Sequence, residues 1–355
     1  MTGHPILDSS RVWANDPKSF WREIAGLPEQ CRVAQDLPAP HLRPRGQIRQ
    51  IAIVGMGGSA AGADLLRACV AGRFSVPIHV SRGEGLPPDL GPETLLIAVS
   101  YSGDTEETLT ALEEALEKKP TVAVVTSGGV LAALAERRRL PSLLVPCGLM
   151  PRSALGFLFF ALVKILEGSG LTPIPQEEVA EGLRLVEDLG REFALDRPTA
   201  ENAAKRLAVS LETGIPVLYG GPTTAAVAYR WKTQIDENAK RLAVWGVLPE
   251  ANHNDVEAWS DPESGRFHAI FLRDRRGESD FGRRIDVTRD LLRGRAGSVG
   301  EVWARGAGLL ARLFSLVVLG DWMSYYLASL RGVDPRAVPS IDELKRRLRR
   351  HGQSS

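Results

Sequence analysis

The chain has 355 residues, and its 44 Lys and Arg residues nearly balance its 43 Asp and Glu residues, giving a formal net charge of +1. This balance argues against a protein that binds nucleic acid by neutralising phosphates. Hydrophobic residues make up 44% of the chain and charged residues 25%, which is typical of globular proteins and excludes disorder for most of the chain. At roughly 150 residues per domain, the length predicts about two domains.

The three cysteines, Cys31, Cys69 and Cys147, are far apart and lack CxxC or Cys/His spacing. This pattern predicts neither a disulfide framework nor a structural zinc site, so we expect a reducing cytoplasm. The first twelve residues lack a basic stretch followed by an apolar segment. Because no unbroken run of about 18 apolar residues occurs, we expect neither secretion nor a membrane span.

Residues 1–47 are predicted to form a helical segment followed by a linker. Asp16 and Pro17 precede apolar residues at helical spacing, which predicts a helix capped by Asp16 with Pro17 at its first position. The stretch 38–46 contains three prolines and a glycine, a composition that favours a linker. We therefore expect the first domain to begin at residue 48.

Short apolar runs and helical patterns alternate in the predicted first domain, residues 48–152. The predicted strands are 48–54, 76–80, 95–99, 122–125 and 143–145, and the predicted helices are 60–70, 106–117 and 130–137. Fully apolar strands separated by helices indicate a parallel sheet that is covered on both faces.

A mostly helical connection is predicted for residues 153–212, and a second alternating domain for residues 213–355. Its predicted strands are 215–219, 242–245, 267–272 and 299–303, and its last two helices are 309–330 and 341–350. The segments that open the two domains, 51–60 and 217–225, both run from a strand through a glycine loop and a hydroxyl residue into a helix. This similarity indicates a weak internal duplication.

The glycine-rich stretch 55–60 lies where a predicted strand turns into a helix. Its backbone N–H groups and the helix dipole could receive an anion. Gly55, Gly57 and Ala60 also fit a dinucleotide-binding spacing, with Glu84 near the expected distance for a ribose contact. A plain tight turn is the third interpretation, and this stretch alone leaves all three open.

A second polar loop favours phosphate over a dinucleotide. Ser100, Ser102 and Thr105 follow the predicted apolar strand 95–99 and lead into a helix, and hydroxyls with N-terminal N–H groups suit a phosphate dianion. Asp104 and Glu107 could instead form a capping box. Such a box would explain the aspartate but not the two serines.

These two loops resemble those of sugar isomerase (SIS) domains, which bind phosphosugars through G-x-G-x-S and S-x-S-G-x-T motifs. Segments 230–240 and 249–255 then resemble the second half of bifunctional phosphoglucose/phosphomannose isomerases, which have two SIS subdomains and a similar length. The resemblance includes 151–152 and 332–345, and so covers roughly residues 48–348. It implies an α/β fold with two doubly wound parallel-sheet SIS subdomains and flanking helices.

The resemblance implies an aldose–ketose isomerase that interconverts glucose 6-phosphate and fructose 6-phosphate through an enediol. Mannose 6-phosphate is a second candidate substrate. In the family pattern Glu237 falls on the base, His253 on the ring-opening residue, and Lys345 on a polar group near the sugar oxygens. It implies no metal or organic cofactor and a homodimer whose His253 enters the neighbouring subunit's site. The alternative is a non-catalytic phosphosugar-binding SIS protein, which would not need Glu237 or His253.

The same pattern implies the residues that bind the substrate. The phosphate-binding residues would be Gly58, Ser59, Ser100, Ser102 and Thr105, and the remaining substrate-binding residues would be Gly57 and Arg152. Ala60 and Ala63 depart from glycines that are frequent in the family, and Asp104 departs from a common Asn. An added carboxylate could weaken phosphate binding unless it points away as a helix cap.

Each proposed catalytic residue also has a simpler interpretation. Glu237 could be a solvated helix residue, and His253 could cap a helix or join a polar network. Lys345 could belong to a basic last turn that complements the helix dipole. Arg152 could anchor a surface carboxylate instead of lying at the site.

Overall fold

The computed structural model describes residues 3–44, 46–83, 85–274 and 279–352. Glu84 lies outside the described residues, so its predicted ribose contact stays untested.

The N-terminal segment forms two short helices, α1 (Trp21–Ala25) and α2 (Leu27–Gln35). The predicted start at Pro17 is wrong, because Ser19 adopts a left-handed conformation with a φ of 53° that interrupts the helix. Asp16 still caps α1, since its carboxylate accepts the backbone N–H of Phe20 at 2.7 Å and of Trp21 at 3.1 Å. Phe20 and its neighbours pack into the main core.

The first domain contains a five-stranded parallel sheet. Its elements are β1 (Gln50–Gly55), α3 (Gly57–Val70), β2 (Ile78–Ser81), β3 (Thr94–Ser100), α4 (Glu106–Glu117), β4 (Thr121–Thr126), α5 (Gly129–Arg138) and β5 (Ser142–Leu144). The strand order is β2-β1-β3-β4-β5. The chain therefore leaves β1 and β3 toward opposite sides, and the crevice between their carboxyl ends is the usual ligand position in such sheets.

Three helices connect the sheets and occupy the stretch that was predicted to be helical: α6 (Leu155–Gly168), α7 (Gln176–Glu192) and α8 (Ala203–Ser210). Helix α6 is almost entirely apolar and is buried along nearly its whole length. It packs on α2 and α3, so it joins the N-terminal segment to the first sheet.

The second domain repeats this arrangement with four parallel strands. Its elements are β6 (Ile215–Gly220), α9 (Ala225–Ala239), β7 (Val244–Val247), α10 (Asp255–Ala258), β8 (Phe267–Arg273), α11 (Ser279–Leu292), β9 (Ser298–Trp303), α12 (Leu309–Leu330) and α13 (Pro339–Gly352). The strand order is β7-β6-β8-β9, which matches the first four strands of the other sheet. The fold class implied by the sequence is confirmed.

Helix α12 lies at the centre of the molecule, against α3, α7, α8 and α9. By length and composition alone it could cross a membrane, but its most apolar window is entirely buried inside the protein. Two charged residues interrupt it, and both are paired: Arg312 with Asp274, and Asp321 with Arg230. One continuous apolar core thus extends from the N-terminal segment through both domains.

Candidate active site

The two polar loops predicted from the sequence meet at the carboxyl edge of the first sheet. Gly55 and Val99 are register partners on β1 and β3, so the loops that follow them are neighbours. The hydroxyl of Ser59 accepts the backbone N–H of Tyr101 at 3.1 Å and ties the loops together. Helices α3 and α4 begin here, and their first N–H groups, which lack intrahelical partners, are available to an anion.

Gly58 brings a third segment onto this crevice. A Cβ at this position would lie 2.5 Å from the Pro151 carbonyl oxygen and 2.8 Å from the Arg152 nitrogen. A side chain cannot fit at either distance, so glycine permits the close approach. Arg152 is thereby placed next to the first loop.

The hydroxyls of the two loops fall into two groups. Ser59 and Ser100 are buried, and Ser100 Oγ lies 2.8 Å from Thr105 Oγ1 while it accepts the N–H of Gly103 at 3.1 Å. Ser102 is exposed and Thr105 is partly buried. Ser59 and Ser100 thus accept backbone N–H groups of the loops, whereas Ser102 and Thr105 have the more accessible hydroxyls.

Asp104 does not form the predicted capping box, and that prediction is wrong. The residue in the capping position before α4 is Thr105, not Asp104. The Asp104 carboxylate accepts the N–H of Val130 at 3.0 Å, at the start of α5. It therefore caps a neighbouring helix. Its hydrogen bond directs the carboxylate away from the first turn of α4, so the departure at Asp104 is a structural cap.

The loop after β4 completes this edge of the sheet, and the sequence analysis missed it. Ser127 Oγ donates to the Tyr101 carbonyl oxygen at 2.6 Å. Gly103 has a φ of 77°, and a Cβ there would lie 1.9 Å from the Gly128 carbonyl oxygen. The glycine pair at 128–129, directly after a predicted strand, was the signal that could have identified this loop.

Arg152 is buried and joins the first domain to the second. Its Nε donates to Asn238 Oδ1 at 2.7 Å, and its Nη1 lies 3.3 Å from Glu237 Oε2. Its Nη2 donates to the carbonyls of Pro335 at 2.8 Å and Arg336 at 3.1 Å. Burial lowers the pKa of Arg152, and the nearby Glu237 carboxylate opposes that change. Three of the five guanidinium N–H groups thus donate hydrogen bonds, and Nη1 forms the ion pair with Glu237. Arg152 therefore links Glu237 to the segment that lies against Gly58.

A buried network on α12 holds these groups in place. Asp321 accepts two hydrogen bonds from Arg230, at 2.7 and 3.1 Å, and Arg230 also donates to the Arg152 carbonyl at 3.1 Å. Asn238 donates to Ser324 Oγ at 2.9 Å. The sequence analysis assigned no role to Arg230 or Asp321, although a charge inside the apolar pattern of 309–330 signals a buried partner.

The N-terminal segment also forms part of the site wall. The Glu23 carboxylate accepts the N–H of Met150 at 2.9 Å and Arg336 Nε at 2.8 Å. The Arg152 guanidinium lies 5.0 Å from the centre of the Phe20 ring. These contacts were not foreseen, because they join residues that are more than a hundred positions apart in the chain.

His253 and Lys345 are not brought to this crevice by any contact among the described residues. His253 ends a short 3₁₀ turn after β7, and Lys345 lies on α13; both are exposed. Neither has a hydrogen-bond or ion-pair partner within the described part of the chain. The helix cap nearby is Asn254, whose side chain accepts the N–H of Asp255 at 2.7 Å.

Comparison with known proteins identifies the family. Residues 200–348 match the bacterial phospho-glucose isomerase C-terminal SIS domain. The chain is 36% identical over 335 residues to a bifunctional phosphoglucose/phosphomannose isomerase of Caldicellulosiruptor bescii, covering 93% of this chain and 98% of that protein. The chain belongs to the bifunctional phosphoglucose/phosphomannose isomerase family. A family relative from Thermoplasma acidophilum is 36% identical over 332 residues, covering 93% and 97% of the two chains.

More distant similarities agree on the fold. A hypothetical protein from Thermus thermophilus superposes with a TM-score of 0.77 at 18% identity, covering 99% of this chain and 95% of that one. A glucose-6-phosphate isomerase like protein from the same organism gives a TM-score of 0.61 at 22% identity, with coverages of 95% and 99%. These likenesses show that this family member shares its overall fold with both proteins.

Three features of this family member are relevant to its chemistry. Two helix N-termini carry nearby hydroxyls, a guanidinium pairs with a carboxylate, and that carboxylate is 29% exposed. No group of three or more His, Cys, Asp or Glu residues that could hold a metal ion occurs among the residues that the structure describes.

Proposed function

We propose that the chain is an aldose–ketose isomerase that interconverts glucose 6-phosphate and fructose 6-phosphate and also accepts mannose 6-phosphate. The observation that supports this proposal is the pairing of Arg152 with Glu237, because the backbone at Arg152 lies against Gly58 of the first polar loop. Family membership supports the same reaction. A phosphosugar-binding protein without catalysis would have no use for this carboxylate.

Glu237 is the proposed base. Its ion pair with Arg152 involves Oε2, and Oε1 accepts no hydrogen bond from a described residue, so that it can accept a proton. Once the sugar ring is open, transfer of the C2 proton to this oxygen gives an enediolate. After the hydroxyl proton has moved from O2 to O1, return of the proton from Glu237 to C1 gives the ketose. The fixed guanidinium keeps the carboxylate in one orientation during both steps.

The phosphate group would bind at the N-termini of α3 and α4. Ser102 and Thr105 would donate their hydroxyl protons, and the backbone of Gly57 and Gly58 would supply N–H groups. Ser59 and Ser100 support this site from below because their hydroxyls already bond within the loops. Arg152 would act mainly on Glu237, since its Nε and Nη2 groups donate to other protein atoms.

His253 and Lys345 would complete the site as the ring-opening group and as a donor to the sugar oxygens. The exposure of both is consistent with groups that act across a subunit boundary. We propose that the active unit is a homodimer in which each His253 enters the partner's site. His253 follows the edge strand β7, where Leu242, Val244 and Trp245 are 38% to 68% exposed, an apolar surface that a second copy would cover.

Helix α13 provides a second surface of the same kind. Ile341, Leu344 and Leu348 are 38% to 61% exposed, and their spacing of three and four residues puts them on one face of the helix. Packing of this face against a second copy would fix α13, and Lys345 with it. We therefore expect Lys345 to become ordered for catalysis in the dimer.

A coupled assay of the purified protein with each hexose 6-phosphate, in the presence of a chelator, tests the function. We expect isomerisation of glucose 6-phosphate at a rate that the chelator does not change. Binding of the sugar phosphate without turnover would favour the non-catalytic alternative. Loss of activity with chelator that a divalent ion restores would contradict a metal-independent mechanism.

A mixing experiment tests the shared site. Inactive Glu237→Gln and inactive His253→Ala chains are mixed and allowed to exchange, so that heterodimers hold one site with both native residues. We expect up to about half of the native activity per heterodimer, by the symmetry of a twofold assembly. Heterodimers without recovered activity, or a fully active monomer in sedimentation, would contradict the shared site.

We further propose that the protein acts in the cytoplasm. All three cysteines are free thiols, and Cys147 is exposed. Exposed thiols persist unpaired in a reducing compartment. Fractionation of the source cells, with the isomerase activity measured in each fraction, tests this location.

A further inference from the structure

Lys240 has no role in the reaction proposed above, although it lies three positions after Glu237. It follows the last residue of α9 in a left-handed conformation with a φ of 51°. Its Nζ donates to the carbonyl oxygens of Glu237 at 2.7 Å, Asn238 at 3.3 Å and Asp334 at 2.7 Å. All three protons of the ammonium group therefore have a backbone acceptor.

Two of these acceptors belong to α9 itself. The last carbonyls of a helix lack intrahelical partners, and a cation there satisfies them and complements the negative end of the helix dipole. A side chain that only caps its own helix would make no further contact. Lys240 in addition binds Asp334, which lies about ninety positions further along the chain.

The carbonyls of three consecutive residues are held in the same way. Lys240 binds that of Asp334, and Arg152 binds those of Pro335 and Arg336. Both cations also contact Glu237: Lys240 donates to the Glu237 backbone carbonyl, and Arg152 pairs with the Glu237 carboxylate. The segment 334–336 leads directly into α13, the helix of Lys345.

We propose that Lys240 is a positioning residue for the isomerase site. It fixes the C-terminal end of α9, which carries Glu237, against the segment 334–336, which leads to Lys345. It does so through backbone carbonyls and does not contact the substrate. The proposal rests on the proposed isomerase function for its kinetic test.

The charge state of Lys240 gives the proposal a pH signature. Burial, together with the nearby Arg152 charge, lowers the pKa of Lys240 from 10.5 to about 8, although Asp334 and Glu237 oppose the change. Arg331 also faces this helix end, since its Nε donates to the Ala239 carbonyl at 2.9 Å. Loss of a proton leaves two N–H donors for three carbonyls, so we expect kcat to fall as the pH rises through about 8.

With rising pH, the contribution of Lys240 to the free energy of unfolding changes in the direction opposite to kcat. The folded-state pKa of Lys240 lies below its unfolded value of 10.5, so the unfolded chain binds more protons between the two values. The contribution of this group to stability therefore rises with pH across that window. A fall in kcat without a fall in melting temperature would separate loss of positioning from unfolding.

Three variants test the proposal. Lys240→Met removes the donors, Lys240→Arg keeps a cation with several donors, and Lys232→Met is a matched control on the same helix, where Lys232 pairs with Asp236 at 2.6 Å. We expect Lys240→Met to lower kcat on the order of tenfold through misplacement of the base, with KM for glucose 6-phosphate nearly unchanged. Lys240→Arg should restore most of kcat and remove the fall near pH 8, because a guanidinium does not deprotonate there.

A second readout does not need activity. Amide hydrogen exchange in 331–340 should be faster in Lys240→Met than in the native chain or in Lys232→Met. If the native protein does not isomerise either hexose phosphate, the proposed function fails and this exchange arm alone decides the role of Lys240. Native kcat and native exchange in Lys240→Met would overturn the proposal, as would a loss that Lys232→Met reproduces. If Lys240→Met does not fold, an unchanged fall near pH 8 in Lys240→Arg would overturn it.

Discussion

The two halves of the molecule share a strand order but differ at the loop that follows the first strand of each sheet. In the first half, this loop lies open at the crevice, with Ser59 bonded to the neighbouring loop. In the second half, Thr224 Oγ1 accepts the N–H of Gly221 at 2.9 Å and donates to the Leu272 carbonyl at 2.9 Å. The Phe281 ring closes that loop, only 2.4 Å from where a Cβ of Gly221 would lie. This difference supports the proposal that the loop of the first half binds the phosphate.

Helices α3 and α9, each of which follows the first strand of its sheet, therefore contribute opposite ends to the proposed site. Helix α3 presents its N-terminus to the crevice, where its dipole favours an anion. Helix α9, which packs on α3, presents its C-terminal turn, where Glu237 and Lys240 lie. In the proposed mechanism, the two halves therefore divide the work: the first binds the phosphate and the second transfers the proton.

The largest expected effect comes from removing the proton acceptor on α9. We expect Glu237→Gln to lower kcat by about 10²- to 10⁴-fold, because the amide keeps the shape of the side chain but cannot accept the proton. Binding of the sugar phosphate should persist. The measurement is incorporation of solvent deuterium at C2, with Asp236→Asn on the same helix as a control. Incorporation at the native rate in Glu237→Gln would exclude it as the base.

A pair of threonine substitutions compares the two loops directly. We expect Thr105→Val to raise KM for glucose 6-phosphate about tenfold, which corresponds to the loss of one hydrogen bond to a charged group, and Ser102→Ala to act in the same direction. Thr224→Val should leave KM unchanged and lower the free energy of unfolding by about 1–3 kcal/mol, because two buried backbone groups lose their partner. Steady-state kinetics and denaturant unfolding check both. Equal KM values in all variants would remove the phosphate site from the first half.

The smallest expected effect concerns Asp104. We expect Asp104→Ala to lower the free energy of unfolding by about 1 kcal/mol, since it removes the cap that α5 receives at Val130. KM should hardly change, and Asp104→Asn should keep most of the stability because an amide oxygen can still accept that N–H. A large decrease of KM in Asp104→Ala would instead show that the carboxylate repels the phosphate.

Much of the fold could be predicted because it depends on local patterns. The buried strands are continuous apolar runs, and α4 and α12 begin and end at the residues expected from the sequence. The polar loops were recognisable because their glycines and hydroxyl residues lie between an apolar strand and a helix. Each strand, loop and helix of this kind is encoded by residues that are close together in the chain.

The parts that could not be predicted depend on contacts between distant residues. The partner of Asp104 is 26 positions away, in another loop, whereas the capping rule considers only its own helix. Arg152 reaches Pro335, 183 positions further on. No local pattern shows that a buried guanidinium will be occupied by backbone carbonyls. The roles of His253 and Lys345 depend on a second chain and stay predictions.

The docking of the N-terminal segment on α12 has a consequence for the order of folding during synthesis. Tyr325 donates to the Asp16 carboxylate at 3.1 Å across 309 positions, and Ser329 donates to the Val12 carbonyl at 2.7 Å across 317. Because synthesis begins at the N-terminus, the first sheet can form on the ribosome long before these partners exist. The apolar side chains of the N-terminal segment that pack on α12 consequently stay uncovered until α12 has left the exit tunnel, so that segment docks after nearly the whole chain has been translated.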